Sequence, residues 1–518
     1  MFRNFFGRRE SSTKRTSLKA HIKLQNDGLV LHPGESDVGS EDNAIVSGVV
    51  HLTSDSSINV RSTRIAFVLQ YRYKRVGKDV WEEGILQEHG ETFVCGQDND
   101  AIAVSYSKNG GTIERRLDFA ILVPKDTATF EYLPCGSRIA PQIRVSVELD
   151  YLDWQPDELR ALPPSPPVYV DDGTIVNSNH QIVTERWSGG SVVPTSVSTI
   201  SEPIISCGSL SPGSTAAHQL STWVKNFMIS ANPNPSQGPV KLRLHKRGVA
   251  AGIGEWNAYL WSDSFSVGSY IQPRIDFTDM ASTCNIYAIE LHLVQTYSVV
   301  PIEEYKIGVY DPEEYQYPSE TFLLHSTGEK PRTNKPGYEA KALWRGTPVP
   351  GDVVPMIAPA NDEYKFSWEG NQIRLPVAKY VRPSTCEGTK SPIIIKHKFV
   401  LKVYFTVTGE TVEGQPIPNI TNGVGHLRLL IANMPQPLPS CACVEAWVTL
   451  PGYDEANAPK GSPKVPLCAC CYTSEDQFPK SDFAKAFPPE ELEERERNHP
   501  LPTQSKSPVA HSGHGYLP

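Results

Sequence analysis

Apolar and polar positions alternate along much of the chain with a period of two. The longest such run is Ile393–Val407, where Phe399, Leu401, Val403, Phe405 and Val407 are separated by polar positions such as Lys398, Lys402 and Thr406. That is the pattern of a strand with one face in a core and the other half wet. The run is long for a strand and long enough to cross a whole sheet. A turn-rich segment follows (GETVEGQPIPNITNG), then strand patterns at His426–Ile431 and Val444–Leu450, and the unit closes on LPGYDE. Earlier in the chain, Ile65, Phe67, Leu69, Tyr71 and Tyr73 alternate with Arg64, Gln70, Arg72 and Lys74. The runs Leu117–Val123, Ile143–Tyr151 and Tyr287–Tyr297 repeat the pattern, and KLRLHKRG from residue 241 reads as another strand. Turn signals (HPGESD, TSDSS, KNGG, PKDT, PCGS) separate the first of these runs. Many such strands with few helical patterns predict an all-β protein of antiparallel sandwiches.

Composition changes the picture between the strands. Proline (44) and glycine (37) are abundant and only 39% of residues are hydrophobic, in a chain of 518 residues that is too long for one core. The polar stretches divide it. Residues 18–155 form a first β domain, and 156–238 read as a Pro/Ser/Gly-rich linker or as insertions around one or two remaining strands. Residues 239–453 form a second β domain with a proline-rich insertion at about 301–361, and 454–518 are a polar tail. The tail's one helical candidate is Pro488–Glu496, where prolines suit the start and glutamates the first turn.

A net charge of −9 argues against nucleic-acid binding by phosphate neutralisation. No apolar run reaches the roughly 18 residues of a membrane helix, and the N-terminus lacks a secretory h-region. The ten cysteines are therefore expected to be reduced in a cytoplasmic protein. Five of them crowd at Cys441, Cys443, Cys468, Cys470 and Cys471, but C-x-C and C-x-C-C do not match structural zinc spacing, and no metal or cofactor is expected. Residues 1–17 combine Phe2, Phe5 and Phe6 with five basic residues; a solvated terminus and a peripheral membrane contact are both readings of that segment. No G-x-S-x-G, H-E-x-x-H, P-loop or dinucleotide fingerprint occurs, so no catalytic residue is assigned. His397, inside the long strand, reads as a structural residue at the core edge.

The informative short motif is Pro166-Pro167-Val168-Tyr169 within LPPSPPVYV. Consecutive prolines hold a polyproline II ridge that packs on aromatic grooves, and PPxY is a ligand of WW domains. Leu450-Pro451-Gly452-Tyr453 is a weaker variant, lacking the first proline, and reads equally as a turn.

The segment Trp368–Phe405 carries a Trp368-Glu369-Gly370 start, an Arg382-Pro383-Ser384-Thr385 element and His397 near the head of the long strand. Cys441-Ala442-Cys443 and Leu450-Pro451-x-Tyr453 follow in order. In this sequence of motifs the chain resembles the fungal alpha-arrestins, over most of residues 18–155 and 240–453. The resemblance implies two tandem arrestin-type sandwiches with long Pro/Ser-rich insertions. It also implies an adaptor, not an enzyme, that recruits a WW-domain HECT ubiquitin ligase to a membrane transporter or receptor and so promotes cargo ubiquitination and endocytosis. WW-domain contacts would fall on Pro166, Pro167 and Tyr169, with Leu450, Pro451 and Tyr453 secondary, and the protein would sit peripherally at the plasma membrane or endosomes. Two other classes remain: an arrestin-fold trafficking scaffold of the retromer kind, which needs no WW ligand, and an all-β hydrolase.

Overall fold

The computed structural model describes residues 18–26, 28–33, 44–54, 60–74, 77, 80–94, 105–106, 113–133, 135–150, 168–169, 175–176, 182–183, 204–206, 218–234, 238–331, 341–346, 364–417, 425–443, 469–471 and 482–498. Their strands follow the period-two pattern, and the sheets are antiparallel apart from one short parallel pair. The first half contains β1 (Leu18–Leu24), β2 (Gly28–Leu31), β3 (Ala44–Ser54), β4 (Val60–Lys74), β5 (Trp81–Val94), β6 (Ser105–Tyr106), β7 (Ile113–Val123), β8 (Glu131–Tyr132) and β9 (Arg138–Asp150). Three two-residue strands follow, β10 (Val168–Tyr169), β11 (Ile175–Val176) and β12 (Ile182–Val183). Then come β13 (Ile204–Ser206), β14 (His218–Asn226) and β15 (Met228–Ala231).

One sheet has the order β1-β3-β7-β6 and a second β13-β14-β9-β4-β5, with β8 on β9. Cross-strand partners put like side chains on one face: Val50 opposite Leu117 in the first sheet, Ile65 opposite Val145 and Phe67 opposite Ile143 in the second. These inward residues of both sheets belong to a single buried cluster, a sandwich-like arrangement.

The second half contains β16 (Leu242–Ala250), β17 (Gly254–Ser262), β18 (Tyr270–Phe277), β19 (Cys284–Val299), β20 (Glu320–Gly328), β21 (Trp344–Arg345), β22 (Phe366–Glu369), β23 (Ile373–Arg374), β24 (Ile393–Val407) and β25 (Leu427–Pro435). Helix α1 (Ile302–Ile307) follows β19, and α2 (Phe483–Ala486) and α3 (Pro489–Asn498) lie in the tail. The sheets run β16-β17-β18-β22 and β20-β19-β24-β25, with β23 on β18 and β21 on β19, around a second buried cluster. The β16–β17 hairpin closes through Gly254 at φ +81°, where an added Cβ would lie 1.7 Å from the Asp279 carbonyl oxygen, so only glycine fits there.

β19 and β24 pair along their whole length, Cys284 opposite Val407 at one end and Val299 opposite Ile393 at the other. At the rise of a strand, fifteen residues extend about 50 Å. The pair is long enough to serve both cores. Leu291, Leu293, Phe399 and Leu401 belong to the second cluster, whereas Tyr297, Val299, Ile393 and Ile395 belong to the first.

Several strands lie where the sequence reads as linker or insertion, and β14 and β20 are the longest of them. β14 joins the first half's sheet beside β9, and its Trp223 is 1% exposed. β20 pairs with β19 inside the proline-rich interval from residue 301. HQLSTWVKN and ETFLLHSTG are too polar to show clean alternation, because β14 buries little besides Ser221 and Trp223 and β20 is an edge strand. The expected strand Val444–Leu450, the N-terminal segment 1–17 and most of the proposed linker lie outside the described residues. Among the described residues no helix is long and apolar enough to cross a membrane.

If β14 is a core strand, Trp223→Ala should lower stability by about 3–5 kcal/mol, read as a fall in the urea midpoint. Asn226→Ala, at the exposed end of the same strand, should stay within about 0.5 kcal/mol. A Trp223→Ala midpoint equal to that of Asn226→Ala would place the tryptophan outside the core.

Candidate functional site

Of the residues expected to bind a WW domain, Tyr169 lies in a described element. Its strand β10 pairs antiparallel with β11, Tyr169 opposite Ile175, and β11 pairs with β12. An extended backbone lies in the same broad region of conformation as the polyproline II ridge. Pro166, Pro167, Leu450, Pro451 and Tyr453 lie outside the described residues.

The densest polar chemistry lies elsewhere, where the β19–β24 pair passes from one core to the other. Leu293–Phe399 on one side and Tyr297–Ile395 on the other are apolar rungs, but between them Gln295 stands opposite His397. Both are buried, His397 at 5% exposure. Buried polar groups persist only when bonded, and here each is. Gln295 Oε1 accepts from the backbone N–H of Arg382 (2.8 Å) and lies 3.1 Å from His397 Nε2, while Gln295 Nε2 donates to Glu320 Oε2 at 2.8 Å. His397 Nδ1 lies 2.8 Å from Ser384 Oγ, which also accepts from the Leu438 backbone N–H at 2.8 Å.

Those bonds determine the tautomer. An amide oxygen only accepts, so Nε2 carries the proton; Nδ1 is then the acceptor and the Ser384 hydroxyl donates to it. The ring is neutral, and burial pushes its pKa down to about 3. With both nitrogens engaged, His397 fastens β24 to the segment 382–384. It is a structural residue within a polar layer between the two cores.

Arg382 carries that layer into the first half. Its Nε stands 3.6 Å from Glu131 Oε2, Nη2 donates to the Phe130 carbonyl at 3.4 Å, and the guanidinium covers the Phe130 ring. Glu131 is 1% exposed and also accepts from Thr129 Oγ1 at 2.8 Å. Burial raises the Glu131 pKa, opposed by the Arg382 charge and these hydrogen bonds. Further links join the halves: the Ile302 N–H donates to Tyr73 Oη (2.7 Å), Tyr317 Oη to the Lys74 carbonyl (2.6 Å), and Lys390 pairs with Asp126.

One of the clustered cysteines, Cys443, is a buried thiol. Burial pushes the Cys443 thiol up to about 12, and it donates to the Ala231 carbonyl at 3.3 Å. Cys386 is likewise pushed up to about 12 by burial, with the Glu131 charge adding to it. Thiols held protonated in this way are poor nucleophiles and poor metal ligands. Among the described residues no group of three His, Cys, Asp or Glu side chains gathers as a metal site.

The sequence points to this layer only in part. Arg382 and Ser384 belong to the Arg-Pro-Ser-Thr element, and His397 stands out within its strand. Glu131 and Gln295 were not singled out. For Glu131 the available signal is a lone carboxylate in the otherwise aromatic and apolar FEYLP. A second assembly is also new: Phe483 and Phe487 of the tail pack on Tyr259 and Trp261 of β17.

No protein-family model matches the chain, and no curated protein matches it.

Two outcomes follow from the polar layer. Arg382→Met leaves Glu131 buried without its cation and should cost about 3 kcal/mol, measured by urea unfolding. Adding Glu131→Gln should recover part of the loss, and a second, additive loss would show that the two side chains are not coupled.

The His397 pKa is depressed on folding, so between its ordinary value of 6.5 and about 3 the unfolded chain binds a proton that the folded chain does not. Stability should therefore fall as pH falls through that window, by at most about 1.4 kcal/mol per pH unit from this group. Glu131, raised on folding, acts with the opposite sign: its contribution is present at low pH and lost as pH rises from 4.5 towards its raised value. Comparing wild type with His397→Gln from pH 7 to pH 5 isolates the histidine. Parallel stability curves would mean that His397 takes up its proton over the same pH range folded and unfolded.

Proposed function

We propose that the protein is an adaptor of the fungal alpha-arrestin type, with two tandem arrestin-type sandwiches, that brings a WW-domain HECT ubiquitin ligase to a transporter or receptor at the plasma membrane or endosomes. The observation that carries the reading is Pro166-Pro167-Val168-Tyr169, a complete WW ligand between the core strands β9 and β14. The order of the Trp368, Arg382, His397 and Cys441 motifs supports it. So does the all-β architecture with two buried cores. The adaptor catalyses nothing; it raises the concentration of ligase near the cargo.

Pro166 and Pro167 would lie along a WW groove as a preformed ridge, and the Tyr169 ring would fill the adjacent pocket. The β10–β11 ladder involves two residues on each strand. At about 0.5–1.5 kcal/mol per hydrogen bond, releasing it is a small cost against such a contact. The Leu450-Pro451-Gly452-Tyr453 peptide offers a second, weaker contact, because it lacks one proline and carries a flexible glycine. A ligase with several WW modules engages both intramolecularly, with a gain of up to roughly 10²–10⁴ over either contact alone.

Titration of a multi-WW fragment against the full chain tests this. Tyr169→Ala should cause the larger loss of affinity, Tyr453→Ala a smaller one, and the double variant nearly all of it. Unchanged binding by Tyr169→Ala would remove the main support for ligase recruitment and leave an arrestin-fold scaffold as the better reading.

A further inference from the structure

β17 departs from the burial pattern of its neighbour. β18 alternates between buried and half-buried positions, as a strand with one wet face does, but β17 is buried without interruption from Trp256 to Ser262. One face, with Trp256, Ala258 and Leu260, belongs to the second core. The other presents Tyr259 and Trp261, and the tail covers it. Phe487 is 2% exposed and Trp261 fully buried. Ring centroids of Tyr259 stand 5.1 Å from both Phe483 and Phe487 at steep angles, and Trp261 is 5.2 Å from Phe483. These are the edge-to-face arrangements aromatic rings prefer. His245 stacks on Tyr259 at 4.6 Å, and the Arg274 guanidinium lies 4.3 Å over Phe483.

The bound segment has the form of a short linear ligand. Asp482 caps α2 by accepting from the Ala484 N–H at 3.0 Å. Phe483 and Phe487, four residues apart, fall on one side of the turn. Pro488 and Pro489 follow, and then α3 with Glu490, Glu491, Glu493 and Glu494. Register places Arg243 opposite Trp261 and Arg247 opposite Asn257, on the same face as Tyr259, and the charges there are balanced: Arg243 pairs with Asp263 and Arg274 with Asp276. A helix of four residues is not stable alone, so α2 is ordered by the surface it occupies. The recognition information is contiguous, and a different chain carrying it would meet the same rings and charges.

We propose that the outer face of β17 is a peptide-recognition site for a partner segment with two phenylalanines at i and i+4, and that Phe483–Phe487 is its resident competitor. The site stands on the second core and does not depend on the WW motifs. A tethered competitor acts at an effective concentration on the order of 1 mM. A tail segment that itself binds the site at about 0.1 mM therefore holds any partner segment back roughly tenfold while it stays tethered. Tethering the partner near the protein, or occupying the tail elsewhere, opens the site.

The test uses the full chain and a fluorescein-labelled peptide of residues 480–498. Phe483→Ala/Phe487→Ala vacates the site and should bind the peptide roughly tenfold or more tightly than wild type. Adding Trp261→Ala should abolish that binding, and a peptide with both phenylalanines replaced by alanine should not bind. In a second arm, a protease site placed within residues 472–481 is cut after folding, which vacates the site without altering any docking residue. The cut protein should lose its tail on dilution and take up the labelled peptide. If neither vacated form binds the peptide, or if the peptide lacking phenylalanine binds equally well, the tail is a fixed clasp and the proposal fails. Equal binding by wild type and vacated protein would overturn the role of resident competitor.

Discussion

The Gln295–His397 rung is the constraint on which the two halves depend. A single pair of strands, β19 and β24, contributes apolar side chains to both buried clusters. A continuously apolar pair would merge the two cores or leave their boundary unspecified. A polar rung gives the boundary a fixed position, because its amide and imidazole must be satisfied in low dielectric and only one set of partners does so. The partners come from two other places, the segment 382–384 and Glu320, and Ser384 is held in turn by the Leu438 N–H. Slipping β24 by one residue would turn His397 to the opposite face, separate it from Ser384 and flip every apolar side chain of the strand. Register, core boundary and the path of the 382–384 segment are thus one decision.

The Arg382–Glu131 contact extends that decision into the first half. A buried ion pair is weak evidence for stability, since desolvation consumes much of the attraction. Its effect here is positional. Glu131 belongs to β8, which pairs with β9 in the second sheet of the first half, while the backbone of Arg382 is held by Gln295 in the second half. Only when both sheets sit as they do can the guanidinium face the carboxylate and the Phe130 ring and carbonyl together. The Lys390–Asp126 pair and the Tyr73 and Tyr317 hydroxyl bonds add links of the same kind around it. A rotation of one core against the other would have to break these and bend the β19–β24 pair.

The strands were legible where apolar and polar residues alternate in the sequence. Ile65–Tyr73, Leu117–Val123, Tyr287–Tyr297 and Ile393–Val407 each show this alternation and each lies within an observed strand. So was α3, through the proline–glutamate start at residues 488–491. β14 was not legible, because most of HQLSTWVKN is polar and its inward positions carry little but Trp223. β20 was hidden by its edge position and its proline-rich flanks. The polar layer was half visible: His397 and Arg382 stand out by type, but Glu131 and Gln295 acquire meaning only when residues far apart in sequence meet. The aromatic face of β17 illustrates a further limit. Tyr259 and Trp261 alternate with Ala258 and Leu260, so both faces read as apolar, and nothing local says that one of them is covered by residues more than two hundred positions away.

On the proposed adaptor reading, the same topology limits what the Pro166–Tyr169 motif can reach. β9 and β14 are antiparallel neighbours, with Asp150 opposite His218. The chain therefore leaves the sheet at Asp150 and returns beside its point of departure. Pro166 is anchored through the residues that follow Asp150, which span at most about 55 Å when fully extended. In the proposed adaptor, a ligase held at Pro166–Tyr169 would be confined to a sphere around one corner of the sheet that contains β9 and β14. Since β19 and β24 tie the two cores together, a cargo surface on either half would have a fixed direction from that corner. Specificity for the lysine to be modified would then follow from the geometry between that corner and the cargo contact, with the length of chain before Pro166 setting the range.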